Sequence, residues 1–395
     1  MGFPSGSVSM RRFAISGDLP KSADESLLEA LDRHKLCPAG DETLAEIEYG
    51  WCGGRHVLDG RFDFERNVFN DAVSFALRVD TNRVPAELRL AYKLMEEEAI
   101  AESNPSGFIS KTQKKSVRDT LTRRIDEEIR SGKFRRGKIT PVLWDLRAES
   151  VYSPASPGAA EKLTELFQRT FNLELHPLSA GSLAQKILAS RGRRRDYEDL
   201  RPTRFVLGDG GDGHYPDYPW TAKGAQPKNF LGNEFLLWLW HEADHHDGTI
   251  KTESAELTLF IDKSLDLDCA YGQTGRDTLR GTGPSRMPEA TDALRTGKMP
   301  RKMGIILDVS GQQFNLTFNA ETFGITSAHL PEVEDADTPR VVFEERITMM
   351  RELWRAIDSM FEAFLKRRSS TAWESQTNAI RKWILQTPKA VAAVA

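Results

Sequence analysis

His241, Glu242 and His245 form an H-E-x-x-H motif, the arrangement of side chains in this sequence with the most definite chemistry. On a helix, two histidines four residues apart lie on one face and can bind zinc, and the glutamate can then act as the general base of a hydrolase. Gly248 extends the match toward a longer zinc-protease pattern, but the final histidine of that pattern is replaced by Lys251. A protonated ammonium group has no lone pair for a metal, so the sequence leaves the third zinc ligand unidentified.

Two hypotheses for this motif remain open. Glu253 or Glu256 can replace the missing ligand, and His246 adds a third imidazole on another face of the helix. Alternatively, the histidines only end a helix, because imidazoles near a helix C-terminus are favoured by the dipole. A zinc-dependent hydrolase that uses residues 241–245 is therefore the alternative function, and the main prediction has no catalytic residue, no metal and no cofactor.

A second motif, Gly208-Asp209-Gly210-Gly211-Asp212-Gly213, matches the G-x-G-x-x-G of dinucleotide-binding proteins. That fingerprint requires a helix to begin at the glycines. Pro216 and Pro219 follow instead, and proline is incompatible with a helix interior. We therefore interpret residues 208–228, which are rich in glycine and proline, as a loop or linker.

The basic run at residues 111–138 is the feature that most constrains function. It contains eleven Lys or Arg and four Asp or Glu, a charge of +7 in a chain whose formal net charge is −4. Charge concentrated in this way is typical of a surface that binds a polyanion. Two further regions, 186–204 and 366–389, are also basic. Phosphates attract Lys and Arg without requiring a fixed geometry, so backbone contact with duplex DNA fits the run better than sequence readout.

The composition excludes several classes of protein. With 395 residues, 39% apolar and 28% charged, the chain is predicted to be globular with more than one domain. It has no run of about 18 apolar residues, and its first twelve residues lack the apolar core of a signal peptide. Its three cysteines are widely spaced, which favours a reducing cytoplasm over a disulfide framework.

The periodicity predicts an α+β protein. Alternating or β-branched segments predict strands, and apolar residues at helical spacing predict helices. The predicted strands are 8–15, 72–79, 139–146, 173–178, 257–267 and strands within 304–318. The predicted helices are 22–34 with Ser22 and Glu25 as a capping box, 159–170, 230–241, 288–296 and 343–367.

The basic run is predicted to lie on a helical hairpin that projects from the sheet. Pro85 suits the first position of a helix in which Leu88, Tyr92 and Met95 recur at helical spacing. A turn at residues 104–107 leads to a returning helix at 111–129, so the basic side chains would lie on the returning helix and the loop beyond it.

Several patterns in order along the chain resemble the bacterial recombination-associated RdgC family. They include Gly50-Trp51, Val84-Pro85-Ala86 and Leu143-Trp144. The hairpin run from Lys111 to Asp119 is close to the family's K-T-x-K-x-S-x-K-D. The other matching patterns are Cys37-Pro38-x-Gly40, the helix 160–166, the run from Glu289 to Lys298, the strands 303–307, 313–318 and 325–330, and the helix 343–364.

The resemblance covers roughly residues 1–180 and 255–367, with extra residues around 186–255 and after 368. It implies a homodimeric ring, without enzymatic activity, that encircles double-stranded DNA in the bacterial nucleoid and modulates homologous recombination by a RecA-type recombinase. Single-stranded DNA is a second expected partner, and no membrane is expected. Lys111, Lys114, Arg118 and Lys298 match basic positions of the family. The apolar stripe of residues 343–364 is predicted to be either core or the dimer seam.

The predicted organisation and site follow from these observations. The domains are an N-terminal α+β domain of residues 1–83 and 139–180, the hairpin 84–138, an insertion 181–255, a C-terminal α+β domain 256–367 and a basic tail 368–395. The predicted DNA-binding residues are Lys111, Lys114, Lys115, Arg118, Arg123, Arg124, Lys133, Arg135, Arg136, Lys138, Arg193, Arg194, Arg195, Lys298, Arg301 and Lys302.

Overall fold

The structure is a computed structural model that describes residues 2–36, 46–105, 107–206, 228–269, 274–333 and 336–386. Its strands are β1 (Val8–Ser16), β2 (Ile47–Cys52), β3 (Val68–Phe69), β4 (Ala72–Asn82), β5 (Arg135–Asp145), β6 (Ser150–Ser153), β7 (Glu174–Pro177), β8 (Thr249–Lys251), β9 (Glu256–Cys269), β10 (Asp277–Gly281), β11 (Lys298–Val309), β12 (Gln312–Asn319) and β13 (Gly324–His329).

Its helices are α1 (Glu25–Arg33), α2 (Phe64–Asn67), α3 (Ala86–Ser103), α4 (Lys111–Arg130), α5 (Pro157–Phe171), α6 (Ala180–Ser190), α7 (Arg194–Asp199), α8 (Phe230–His245), α9 (Pro288–Arg295), α10 (Pro339–Arg368) and α11 (Ala372–Leu385), with a 3₁₀ turn at Pro284–Arg286.

The predicted α+β class is confirmed. The strands of the described residues form a large antiparallel sheet of 13 strands, and helices accompany it. The chain divides into two compact units. The first contains Met1–Leu19, Trp144–Pro154 and Leu175–Ala395, and the second contains Pro20–Leu143 and Ala155–Glu174.

In the first unit the strands follow the order β10-β9-β11-β12-β13-β1-β6, with β8 paired to β9. Alternation along β12 buries Phe314, Leu316 and Phe318, as expected for a strand with one face toward a core. Helix α8 is apolar around its whole circumference and is buried from Phe230 to His241. Gly232 allows its close approach, because a Cβ there would lie 1.9 Å from the carbonyl oxygen of Ala320. The predicted insertion therefore contributes a central core helix.

Helix α10 buries the apolar stripe that the sequence placed either in the core or at a dimer seam. Phe343, Leu353, Trp354, Phe361 and their neighbours on the stripe are all buried within the single chain. The stripe is thus core, and its burial removes it as a surface for a second copy. Any two-fold dimer must use other residues.

The second unit contains strands in the order β5-β4-β2, with β3 paired to β4. Trp51 is fully buried on β2, where its ring meets Phe75 edge to face and its indole Nε1 donates to Thr170 Oγ1 at 2.8 Å. Helices α1 and α5 bury apolar stripes of this unit, including Leu31 and Leu163. Helices α3 and α4 belong to the same unit.

Several local predictions are corrected by the structure. Helix α1 begins after Asp24, which accepts a hydrogen bond from Leu27 N, so the predicted Ser22 capping box is wrong. Pro85 is the N-cap of α3 rather than its first residue. The basic residues 135–138 lie on strand β5, not in a loop. Part of the predicted basic tail forms helix α11, which buries Trp373 and Ile380. The glycine motif at 208–213 and the Cys37-Pro38-x-Gly40 pattern lie outside the described residues.

Candidate functional site

The predicted pair of helices is present as α3 and α4, and side chains hold the two together. The Tyr92 hydroxyl donates to Glu128 Oε1 at 3.0 Å, and the guanidinium of Arg124 lies 3.8 Å from the Tyr92 ring centroid. Near the connecting turn, the side-chain amides of Asn104 and Gln113 exchange hydrogen bonds of 2.9 and 3.1 Å. Contacts at both ends of the pair make it an antiparallel hairpin.

Helix α4 begins at a capping box. Ser110 Oγ accepts from Gln113 N, and the Gln113 side chain accepts from Ser110 N, so two otherwise unpaired backbone donors are satisfied. Val117 is the one fully buried side chain that the structure describes on α4. At the other end of the helix, Asn82 Nδ2 donates to Ile129 O at 2.6 Å. The helix is therefore anchored at its start, middle and end, while many of its other side chains are exposed.

Lys111, Lys114, Lys115 and Arg118 form the basic stripe of α4. Their spacing of three, four and seven residues places them on one helix face, and all four side chains are exposed. Within the part of the chain that the structure describes, none of them has an ion-pair partner. An exposed cation without a partner keeps its full charge available to an anion, so the stripe is suited to bind phosphates.

The remaining predicted residues near the hairpin differ in how far their charge is available. Arg123, Arg136 and Lys138 are exposed. Arg124 is partly buried against Tyr92, and Lys133 Nζ lies 3.6 Å from Glu128 Oε2. Arg135 is already neutralised, because it donates to Glu48 at 2.9 Å and to Asp80 at 3.0 Å.

Asp80 is the centre of the ion-pair cluster to which Arg135 belongs. Its carboxylate is buried and accepts hydrogen bonds from Arg78 Nε at 2.8 Å and Nη2 at 2.6 Å. Burial alone would raise the pKa of Asp80, but the two arginines outweigh it and hold that pKa below its usual value. The cluster ties strand β4 to strand β5 directly after the hairpin, so Arg135 has a structural role.

Three of the six predicted basic residues of the first unit are paired with acids. Arg193 donates to Asp196 at 2.5 Å and to Ser369 O at 2.6 Å. Lys298 is paired with Asp277, and Arg301 is bidentate to Glu321 and also reaches Asp268. The residues of this group whose side chains remain exposed are Arg194, Arg195 and Lys302.

Helix α3 carries an exposed apolar surface that the sequence pattern did not reveal. Leu90, Leu94 and Met95 are about half exposed, and Phe108 in the connecting turn is 82% exposed. The spacing of Leu88, Tyr92 and Met95 suggested a single buried stripe, whereas α3 has no fully buried residue among those described. The sequence indicates this surface only through Leu90 and Leu94, which lie four residues apart and off that stripe. Apolar side chains that are exposed together in one patch are typical of contact surfaces.

The H-E-x-x-H motif lies on a helix, as predicted, at the end of α8. The His241 and His245 rings are stacked with centroids 4.1 Å apart. His241 Nδ1 lies 3.3 Å from Glu242 Oε1, which also accepts from Gln376 Nε2 of α11 at 3.0 Å. Burial would raise the pKa of Glu242, but the hydrogen bond with His241, together with the charge of Arg367 and the contact with Gln376, lowers it. The Glu242 carboxylate is thus ionised, and its hydrogen-bond partners are the side chains of His241 and Gln376.

These histidines border a cavity of about 810 Å³. The two acids that the sequence offered as a third zinc ligand are both paired with lysines. Glu253 is paired with Lys366 at 2.7 Å, and Glu256 lies 3.5 Å from Lys251. Among the described residues, no group of three or more His, Cys, Asp or Glu side chains is arranged to hold a metal ion. The geometry therefore favours the basic stripe of α4 over the histidine motif as the functional site.

A comparison of the chain with models of known protein families finds no match, and neither does a comparison with curated proteins. Across the ranges that the structure describes, no helix has both the length and the apolar character needed to cross a membrane. The function is therefore inferred from the geometry and charge of the residues themselves.

Proposed function

We propose that this chain is a DNA-binding protein of RdgC type that binds duplex DNA without sequence preference. The observation that carries the proposal is the basic stripe of α4, with four exposed cations that have no ion-pair partner among the described residues. Arg123, Arg136 and Lys138 extend the same basic surface along the chain. Binding is driven by the release of counterions from DNA when these side chains approach its phosphates.

The absence of sequence preference follows from the kind of contact available. The stripe extends from Lys111 to Arg118, seven steps along the helix or roughly 10 Å, and consists of Lys and Arg alone. Contacts from such side chains to phosphates fix position but carry no base information. Base readout would require side chains directed at base edges in a groove from a recognition helix or a zinc finger, and the sequence of the hairpin has neither pattern.

The proposal includes a homodimer that encircles DNA and modulates RecA-type recombination. This part depends on the family resemblance, and the exposed Leu90, Leu94 and Met95 of α3 support the existence of a protein-contact surface beside the stripe. Sedimentation at micromolar concentration tests it directly. We expect twice the 44.4 kDa mass of one chain, and a monomer at that concentration would contradict the ring.

The decisive experiment for function is a DNA-binding titration across a salt series. Purified protein is mixed with labelled duplexes of two unrelated sequences and with a single strand of equal length, from about 50 to 200 mM salt. If about 6–10 phosphates are contacted, affinity should fall by roughly 10³–10⁵ over this range, equally for both duplexes. A flat salt response would indicate a protein-interaction adaptor without a DNA role, and a strong preference for one duplex would contradict backbone binding.

A further inference from the structure

A cleft of about 380 Å³ in the first unit contains an unusual concentration of arginine. It lies between the turn that joins β5 to β6 and the outer face of α10. The side chains that matter for its chemistry are Arg12, Arg147, Tyr152, Arg351, Trp354 and Arg355. None of them belongs to the hairpin or to the histidine cavity, so the cleft is a separate feature.

Two of the arginines that line the cleft are held in place by carboxylates. Arg12 makes a bidentate pair with Asp358, with both distances 2.6 Å, and its guanidinium lies 4.1 Å from the Trp354 ring centroid. Arg351 makes a bidentate pair with Asp145 at 2.7 and 2.8 Å. Because both guanidinium groups are held by carboxylates, they shape the cleft without contributing net charge.

Tyr152 supplies an unused donor to this cleft. The residue is only 3% exposed and its ring stacks on Trp354, with centroids 6.3 Å apart. Yet its hydroxyl makes no hydrogen bond to any described residue of the chain. Burial raises the pKa of Tyr152 well above its usual value, so the hydroxyl keeps its proton and can donate a hydrogen bond. The hydroxyl is therefore available to donate a hydrogen bond to a group that binds in the cleft.

Arg147 and Arg355 give the cleft its excess positive charge. Both are exposed, and neither has an ion-pair partner within the described ranges. Arg147 lies on a tight turn, fixed by the hydrogen bond from Ala148 N to Asp145 Oδ1 at 3.0 Å and by the left-handed backbone of Glu149, with φ of 48°. Glu362, an acid at the edge of the cleft, is already paired with Arg191 at 2.7 Å.

We propose that this cleft binds a phosphate group, with Arg147 and Arg355 contacting its oxygens and the Tyr152 hydroxyl donating to one of them. Guanidinium forks match the geometry of phosphate oxygens, and a hydroxyl that donates to a charged oxygen forms a charge-assisted hydrogen bond. The assignment of this phosphate to the backbone of a nucleic acid depends on the proposed function. The cleft would then be a second DNA contact, additional to the basic stripe of α4.

The first arm of the test measures DNA binding by an Arg147→Ala/Arg355→Ala variant. The matched control is Lys186→Ala/Arg280→Ala, which removes two exposed cations of the same unit that lie outside the cleft and have no ion-pair partner among the described residues. The cleft variant should lower the slope of log affinity against log salt by about 0.9 for each phosphate that it no longer binds, and by more than the control does. Equal slopes in the two variants would overturn the backbone assignment.

The second arm does not depend on DNA binding. Phosphorus NMR follows dimethyl phosphate and inorganic phosphate in the presence of the wild-type protein, the cleft variant, the control and Tyr152→Phe. We expect dimethyl phosphate binding to vanish in the cleft variant, and to weaken by about tenfold in Tyr152→Phe, the lower end for a hydrogen bond to a charged group. If inorganic phosphate alone binds, the source is a free phosphate and the backbone assignment is overturned. If neither probe binds, the site itself is refuted.

The two arms separate the failure of this inference from the failure of the proposed function. A wild-type protein that binds dimethyl phosphate in the cleft but no duplex would refute the DNA-binding function and leave the phosphate site standing. A wild-type protein that binds duplex DNA while the cleft and control variants behave alike would refute the cleft as a DNA contact and leave the function standing.

Discussion

Removing the basic stripe of α4 is the sharpest perturbation that the hairpin allows. A variant with Lys111, Lys114, Lys115 and Arg118 all changed to Ala removes four charges from one helix face. Because these side chains are exposed and unpaired within the described chain, their removal breaks no buried interaction. Alanine also has the highest helix propensity, and the anchors of α4 at Ser110 and Val117 are untouched. The fold should therefore survive, with stability changed by less than about 1 kcal/mol.

The effect on DNA binding follows from the number of phosphates that the stripe can reach. Each phosphate contact contributes about 0.9 to the slope of log affinity against log salt, so four contacts contribute up to about 3.6. Over the roughly fourfold rise from about 50 to 200 mM salt, the affinity of the wild-type protein should fall up to about 150 times further than that of the variant. Duplexes of different sequence should be affected alike, because phosphate contacts do not read bases.

The assay is fluorescence anisotropy with labelled duplexes, and circular dichroism checks the fold of each variant. The matched control changes Lys21, Arg169, Lys186 and Arg280 to Ala, which removes the same charge from exposed positions elsewhere in the chain. The basic residues after 365 are unsuitable as a control, because Arg368 is buried and paired with Glu234. Equal effects in the two variants would mean that net charge alone explains binding. An unchanged slope in the hairpin variant would refute the role of α4.

Three further predictions concern single side chains. Arg368→Ala leaves the fully buried Glu234 carboxylate without its arginine and should cost about 3–5 kcal/mol of unfolding free energy in urea titrations; a cost below about 1 kcal/mol would contradict this. Asp80→Asn should destabilise the protein at neutral pH by weakening the pair with Arg78. Because folding lowers the pKa of Asp80, its stabilising contribution is complete above the unfolded value of about 3.9 and is lost as pH falls through the lower folded value. Urea titrations of the two proteins should therefore converge in acid, and a constant difference would contradict the linkage. Glu242→Gln should leave DNA binding unchanged, and any peptidase activity that disappears in this variant would favour the zinc hypothesis.

Much of the secondary structure could be predicted from local pattern. The strands β1, β4 and β9 and the helices α5 and α10 follow the pattern of apolar residues, because that pattern reflects the geometry of each element itself. Helix α8 was predicted from its continuous apolar run. Short elements such as β3 and β8 were missed, since two or three residues are too few to show a period. The cap of α1 was misplaced because Asp24 and Ser22 are both good N-cap residues by type.

The candidate site was predictable in part for the same reason. The stripe from Lys111 to Arg118 follows directly from residue spacing on a helix. Whether a cation remains available to bind an anion, however, depends on whether the fold places an acidic side chain next to it. Arg135 meets an acid 87 residues away in Glu48, and Arg301 meets one 20 residues away in Glu321. No local pattern contains those partners.

The sequence by itself determined the class of the fold, the helical hairpin and the concentration of positive charge on its second helix. These are properties of composition and short-range spacing. Only the tertiary structure decided that the apolar stripe of α10 is core, because a core and a dimer seam bury the same face and have the same period. Only the tertiary structure also brought Gln376 of α11 to Glu242 and placed Tyr152, Arg147 and Arg355 in the lining of one cleft. Those outcomes depend on contacts between residues far apart in the chain, which the packing of the whole unit sets.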